Sequence, residues 1–310
     1  MKHTLFSLLT LTLVAACAPP VPLALPAAAP DAAIVINPDV SFPEGPEWRD
    51  NALFYVAYGG NTLLKWDGAV NTVVWQQDGC GPSAAVGLPD GNFLITCYDA
   101  NNLAIVSSGG ETVTTIDKDS DGAGFVGPND ATVDARGGVY FSASGVWDVT
   151  APITGRILYL NPDGEVTEVA NDIHYSNGLA LSPDGAKLYA SEMAAQRVLW
   201  FPVNKDGTLG ERYLFARLSD LLPDKAGMDI YMGPDGLKTD SQGNLYIAQF
   251  EGGRIIVVDP AGALLRTLDV PAPYVTNLSF GPDENTVFIT GALDAFTAPY
   301  PGQVYQVENR

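Results

Sequence analysis

Six stretches of this chain repeat one short grammar, and few architectures can absorb such a repeat. Each stretch opens on a small-residue turn, runs as a short apolar strand, turns at Asp, Gly or Asn, and runs again as an apolar-aromatic strand. The openings are PEGPEW from Pro43, GPSAAV from Gly81, GPNDATV from Gly127, YSNGLAL from Tyr175, GPDGLKT from Gly233 and VTNLSF from Val275. The second runs, ALFYVA, NFLITC, GVYFSA, KLYASE, NLYIAQ and TVFITG, are rich in the β-branched and aromatic residues that strands favour. Third runs follow in most units, among them LLKWD, LAIVS, RILYLN and RIIVVD.

Aligned on their openings, the units place Glu44, Ser83, Asn129, Asn177, Asp235 and Asn277 in one column, at steps of 39, 46, 48, 58 and 42 residues. That is the spacing of four-stranded propeller blades. No amphipathic helical run of normal length separates the strands; the longest interruption, Leu214 to Met232, holds at most a helical turn at Leu218 to Leu222. The expectation is an all-β, six-bladed β-propeller spanning 31–310. The early segment Ala33 to Asn37 (AIVIN) has no partner in its own unit and is expected to close the ring in the last blade, beside Gln303 to Val307.

The N-terminus reads differently. Lys2 and His3 precede an apolar run, Leu5 to Ala16, too short to span a bilayer as a helix, so residues 1–16 read as an export signal. It ends in Val14-Ala15-Ala16-Cys17, which resembles a lipobox, making Cys17 the candidate lipidation site. A Pro/Ala tether covers 17–30. The expected protein is exported and held to a membrane only through that N-terminal lipid. An oxidising compartment permits a disulfide between Cys80 and Cys97, but sequence cannot show whether they are close enough, and two buried thiols remain the alternative. A formal net charge of −20 repels phosphate backbones and argues against a nucleic-acid partner.

In a propeller the innermost strands line a central channel, so the column predicts six side chains converging near one mouth. None is basic. Crowded carboxylates, amides and a hydroxyl are costly there unless a hard cation satisfies them. Glu44, Asn129, Asn177 and Asp235 offer four oxygen ligands with two negative charges, a set suited to calcium; magnesium, manganese and zinc are lesser options. Asn-Gly and Asp-Gly also form plain turns, as at Pro89 and Pro183, so it is the shared register that carries the argument. Asp117 to Gly122 matches only the first half of an EF-hand loop, with Pro128 where the twelfth-position Glu belongs, and reads as a solvated acidic loop or, alternatively, a weak accessory cation site.

The motifs EGPEW (Glu44 to Trp48), GPND (Gly127 to Asp130), NGLALSPDGAKLY (Asn177 to Tyr189), GPDGLKTDSQGNLYIA (Gly233 to Ala248) and VTNLSFGPD (Val275 to Asp283) stand in order. Together they resemble the gluconolactonase, senescence-marker-protein and luciferin-regenerating-enzyme family. That resemblance implies a six-bladed, metal-dependent lactonase propeller, with Glu44, Asn177 and Asp235 as metal ligands and Asn129 binding substrate or completing the metal shell. Ser176, where the family often has Pro, and the approach GMDIYMG (Gly227 to Gly233) depart from the pattern and bear on substrate.

Counting removes other hydrolytic schemes. His174 is the only histidine after the signal, so a His dyad is impossible, and GPSAA at Gly81 lacks the second Gly of a nucleophile elbow. His174 stands two residues before a unit opening and reads as a structural residue near the mouth. What remains is metal-assisted hydrolysis of a small cyclic ester such as a sugar lactone. Asp235 is the candidate base, or alternatively a direct nucleophile. Ser83 and Asn277 join Asn129 as candidate substrate contacts. A phosphotriesterase-like hydrolase and a non-catalytic binding propeller with a structural cation are the alternatives.

Overall fold

The structure, a computed structural model, describes residues 33–148, 150–222 and 233–310. The signal, Cys17, the tether and most of GMDIYMG lie outside the described residues. Twenty-four strands appear among those described. The first is β1 (Ile34–Ser41), followed by β2 (Pro43–Arg49), β3 (Ala52–Ala57), β4 (Thr62–Trp66) and β5 (Asn71–Gln76). Next come β6 (Pro82–Gly87), β7 (Phe93–Cys97), β8 (Asn102–Val106) and β9 (Thr112–Ile116), then β10 (Pro128–Val133), β11 (Val139–Ala143), β12 (Gly155–Leu160) and β13 (Val166–Ile173). The remainder are β14 (Ser176–Leu181), β15 (Lys187–Glu192), β16 (Arg197–Pro202), β17 (Tyr213–Arg217), β18 (Pro234–Thr239), β19 (Leu245–Gln249), β20 (Arg254–Val258), β21 (Leu264–Asp269), β22 (Tyr274–Phe280), β23 (Thr286–Ala292) and β24 (Pro301–Glu308). A single helical turn, α1 (Leu218–Leu221), falls where the sequence allows one.

The fold is all-β and propeller-like. Four sheets have four strands, in the orders β10-β11-β12-β13, β14-β15-β16-β17, β18-β19-β20-β21 and β1-β24-β23-β22. A fifth has eight strands, β5-β4-β3-β2-β6-β7-β8-β9, whose halves join through one parallel bridge, Gly45 to Ala84. β1 pairs antiparallel with β24, Ile34 opposite Gln306 and Ser41 opposite Pro301.

The second strand of each unit is the most apolar, and β3, β7, β11 and β19 are buried at every position. Their alternate faces feed the hydrophobic layers between neighbouring sheets, as where Ala180, Tyr189 and Val198 pack on Leu237, Ile247 and Ile256. The outer strands β5, β9 and β17 are largely exposed, with polar and apolar residues mixed. That exposure is why the interval after Leu214 reads as an interruption in sequence, although Tyr213–Arg217 is a strand.

Hydroxyl groups lock the inner ends of the units together. Ser83 Oγ donates to Pro128 O (3.0 Å), Ser144 Oγ to Ser176 O (2.6 Å), Ser191 Oγ to Asp235 O (2.7 Å) and Thr276 Oγ1 to Pro43 O (2.7 Å). Close approach at the axis also demands glycine: a Cβ on Gly178 would sit 2.1 Å from Asp235 O, and one on Gly236 2.1 Å from Asn277 Cγ. Cys80 and Cys97 form a disulfide joining the loop before β6 to the end of β7.

Candidate active site

Pro82, Pro128, Ser176 and Pro234 each pair with the last residue of the strand beside them, and the ladder then slips before resuming; in the first unit Pro43 and Glu44 both pair and the slip follows Glu44. The slip turns the next side chain toward the axis. Five residues at these openings, Glu44, Ser83, Asn129, Asn177 and Asp235, line one cavity of about 170 Å³. All five are buried.

The sixth unit corrects the sequence alignment. Its ladder slips after Val275, so Thr276 occupies the column position and Asn277 the one after it. Asn277 is buried but does not line the cavity; its Oδ1 accepts from Leu278 N at 2.8 Å. The same local bond is made by Asp130, whose Oδ1 accepts from Ala131 N at 2.9 Å. Asn277 thus belongs to a deeper tier, where its side chain hydrogen-bonds toward Glu44 and Asp130.

Asp130 is the residue that sequence reading passed over. It is 2% exposed, and its Oδ2 accepts from Leu179 N of the next unit at 2.9 Å. Burial holds its carboxyl above the ordinary range, with Lys238 pulling the other way. Its charge also bears on both Glu44 and Asp235. Its place directly after Asn129, where three other units have Gly, was the available signal.

Glu44 and Asp235 are both held well above the usual carboxylate range. For Glu44 the cause is first burial and then the negative charge of Asp235, against which a bond from Gly45 N (3.0 Å) works. For Asp235 it is burial and then the charge of Asp130, partly offset by a side-chain bond from Asn177. Asn129 Nδ2 donates to Ser144 Oγ at 3.0 Å, which leaves its carbonyl oxygen as the available end. Asn177 Nδ2 lies 3.6 Å from Met193 Sδ.

The donor chemistry fits a hard divalent cation. Two buried carboxylates and two amide oxygens face one cavity, and no Lys, Arg or His is among its described lining residues. Oxygen-only sets of this kind suit calcium better than zinc. Among the described residues no group of three or more His, Cys, Asp or Glu side chains is arranged to hold a metal, so the amides are essential to the set. His174 does not line the cavity; its backbone N donates to Glu192 Oε1 at 3.0 Å. Asp119 of the EF-hand-like stretch pairs with Arg156 at 3.3 Å and caps its own turn through Asp121 N and Ala123 N, as an acidic loop would.

Above the oxygens the wall is aromatic: Phe42, Tyr58, Tyr98, Trp147, Tyr175 and Phe250, with Tyr300 beside them. Phe42 and Tyr175 hold positive φ (46° and 62°) at the position where Gly81 and Gly127 do the same (55° and 60°). Such a backbone is costly for bulky residues, and the rings it aims over the mouth are its visible return.

Residues 42–293 match the family described as the SMP-30/Gluconolactonase/LRE-like region. The chain belongs to this family. Among its relatives are a 6-deoxy-6-sulfogluconolactonase of Pseudomonas putida (28% identical; 81% of this chain and 83% of that one) and a regucalcin of Danio rerio (27%; 80% and 82%). A gluconolactonase of Zymomonas mobilis is 27% identical over 83% of this chain and 78% of its own. Among solved structures, a gluconolactonase from Xanthomonas campestris superposes with a TM-score of 0.74 at 21% identity, covering 89% of each chain. A luciferin-regenerating enzyme does so at 0.72 and 24%, covering 89% of this chain and 95% of that one. At these identities the structural likenesses speak to the fold.

Proposed function

We propose that this family member is a lactonase, hydrolysing a small cyclic ester at the cavity where Glu44, Asn129, Asn177 and Asp235 converge. The observation that carries the reading is that convergence of buried oxygen donors, in a chain whose relatives include named lactonases. Glu44, Asn177 and Asp235 hold a divalent cation, calcium first, and Asn129 completes the shell or orients the ester. What a bound cation supplies there is polarisation of the ester carbonyl and charge for the oxyanion. Asp235 positions a water and takes its proton, Ser83 borders the substrate, and the aromatic wall limits solvent. Asn277, one tier deeper, supports Glu44 rather than contacting substrate.

The architecture supporting this site is read as six blades, each half of the eight-stranded sheet counting as one, with β1 supplying the outer strand of the last. The domain would begin near residue 31, behind a tether and a lipid on Cys17 that hold it at an exported membrane face.

The test is a lactone panel on the full domain. Turnover should vanish on chelation and return with Ca²⁺ or another divalent ion. Undiminished turnover in metal-free protein would refute the cation's role, and no turnover of any lactone would refute the activity.

A further inference from the structure

The vestibule above the oxygen cluster is built largely from aromatic rings, and three of its four tyrosine hydroxyls are already hydrogen-bonded within the protein. Tyr58 OH donates to Asp99 Oδ1 at 3.0 Å, and Tyr98 OH and Tyr175 OH bond each other at 2.9 Å. The rings pack edge to face or tilted against one another around the opening. Phe42 meets Tyr58 at 5.7 Å between centroids, and Trp147 meets Tyr175 at 5.2 Å and Phe250 at 5.7 Å. Lower down, Ser83 Oγ is held by the carbonyls of Pro128 (3.0 Å) and Asn129 (3.1 Å), and Asn129 Nδ2 by Ser144.

A sugar lactone brings several ring hydroxyls, each of which gives up water on entry. A hydroxyl that loses water without gaining a partner costs roughly tenfold or more in kcat/KM. The free oxygens at the floor are those assigned to the cation and the ester, so the walls offer a polyol little. They offer an apolar substituent a great deal, since aromatic faces are the largest apolar surface a side chain can present. An anionic substituent finds no partner on the walls, because no Lys, Arg or His is among the described lining residues. The volume of about 170 Å³ admits one five- or six-membered ring, with a substituent directed along the aromatic mouth.

We propose that the substrate is an uncharged lactone carrying an alkyl or aryl group, directed along the aromatic mouth that includes Tyr98, Tyr175 and Trp147, in preference to polyhydroxylated or anionic sugar lactones. This rests on the lactonase reading and narrows it.

The experiment compares kcat/KM of the cation-supplemented protein for four substrates: glucono-δ-lactone, a carboxylated sugar lactone, a δ-lactone with a short alkyl chain, and an aryl-fused δ-lactone. The last two should exceed the first two by at least about tenfold. Trp147→Ala, at an exposed loop position, should raise KM for the alkyl lactone roughly three- to tenfold more than it raises KM for glucono-δ-lactone, and an equal change for both would count against the apolar seat. Fluorescence titration with the matching lactams, which resist hydrolysis, gives a readout independent of turnover: the alkyl lactam should bind and the polyhydroxylated one should not. Equal or better turnover of glucono-δ-lactone, or preferential binding of the polyhydroxylated lactam, overturns the substrate class while the lactonase reading stands. Inertness of all four lactones removes that reading, and the lactam preference then decides the vestibule by itself.

Discussion

Replacing Asp235 with Asn should move stability and activity in opposite directions. Asp235 is 4% exposed and shares its surroundings with Glu44 and Asp130, two further buried carboxylates. At an effective dielectric of about 20, a pair of like charges roughly 4–8 Å apart repels by about 2–4 kcal/mol. The substitution is nearly isosteric and keeps an oxygen for the cation. Metal-free Asp235→Asn should therefore melt higher than the parent, by about 2–6 °C for a domain of this size. Its gain in Tm on adding Ca²⁺ should shrink, because one of two ligand charges has gone. Its kcat should fall about 10²–10⁴-fold, the usual worth of a positioned base. The assays are paired thermal melts with chelator and with excess Ca²⁺, and lactone turnover at saturating cation. Wild-type turnover would refute Asp235 as the base, and a metal-free variant melting no higher than its parent would refute the charge argument.

The remaining expectations can be checked on the same preparation. Glu44→Gln should weaken cation affinity at least tenfold yet recover most turnover at high Ca²⁺, measured by titration calorimetry and rate against free cation. Because burial and mutual repulsion raise Glu44 and Asp235 above their unfolded values near 4.5 and 3.8, their contribution to metal-free stability is fully present below about pH 4 and is lost as pH rises through the raised folded values. The Tm increment from added Ca²⁺ should consequently grow with pH over that span, and an increment independent of pH would contradict the assignment. Deleting 33–41, which removes β1, should expose β24 and lower Tm sharply; a deletion that melts like the intact domain would rule out the closing role. Cys17→Ser should release the protein from the membrane fraction, and a mature chain with no acyl mass on Cys17 would exclude the anchor.

The repeat made much of this fold legible before any coordinates. All six apolar-aromatic runs are second strands, since a strand buried on both faces cannot hide its composition. The outer strands were harder: in β5, β9 and β17 exposure relaxes the pattern, and Tyr213–Arg217 passes for a loop. Five column positions are plain because Pro or Ser precedes each, but the sixth unit opens on Val275-Thr276 without that marker. The alignment was drawn to Asn277 by its side-chain type, and only the ladder slip shows Thr276 in its place. Asp130 escaped because a carboxylate beside a turn looks solvated until the next unit's Leu179 N is found against it. The rim is partly readable, since Phe42 and Tyr175 stand where three other units have Gly. The Cys80–Cys97 disulfide depended on a loop path that no local pattern encodes.

The pairing of β1 with β24 bears on how the molecule is made. Ile34 finds Gln306 only across almost the whole domain, so the contact that completes this sheet is also the most distant in sequence. During synthesis β1 must wait, with an unpaired edge, until residue 308 has emerged. A premature stop shortly before β24 would then cost two strands rather than one, leaving β23 uncovered and β1 without a partner at the opposite end of the chain.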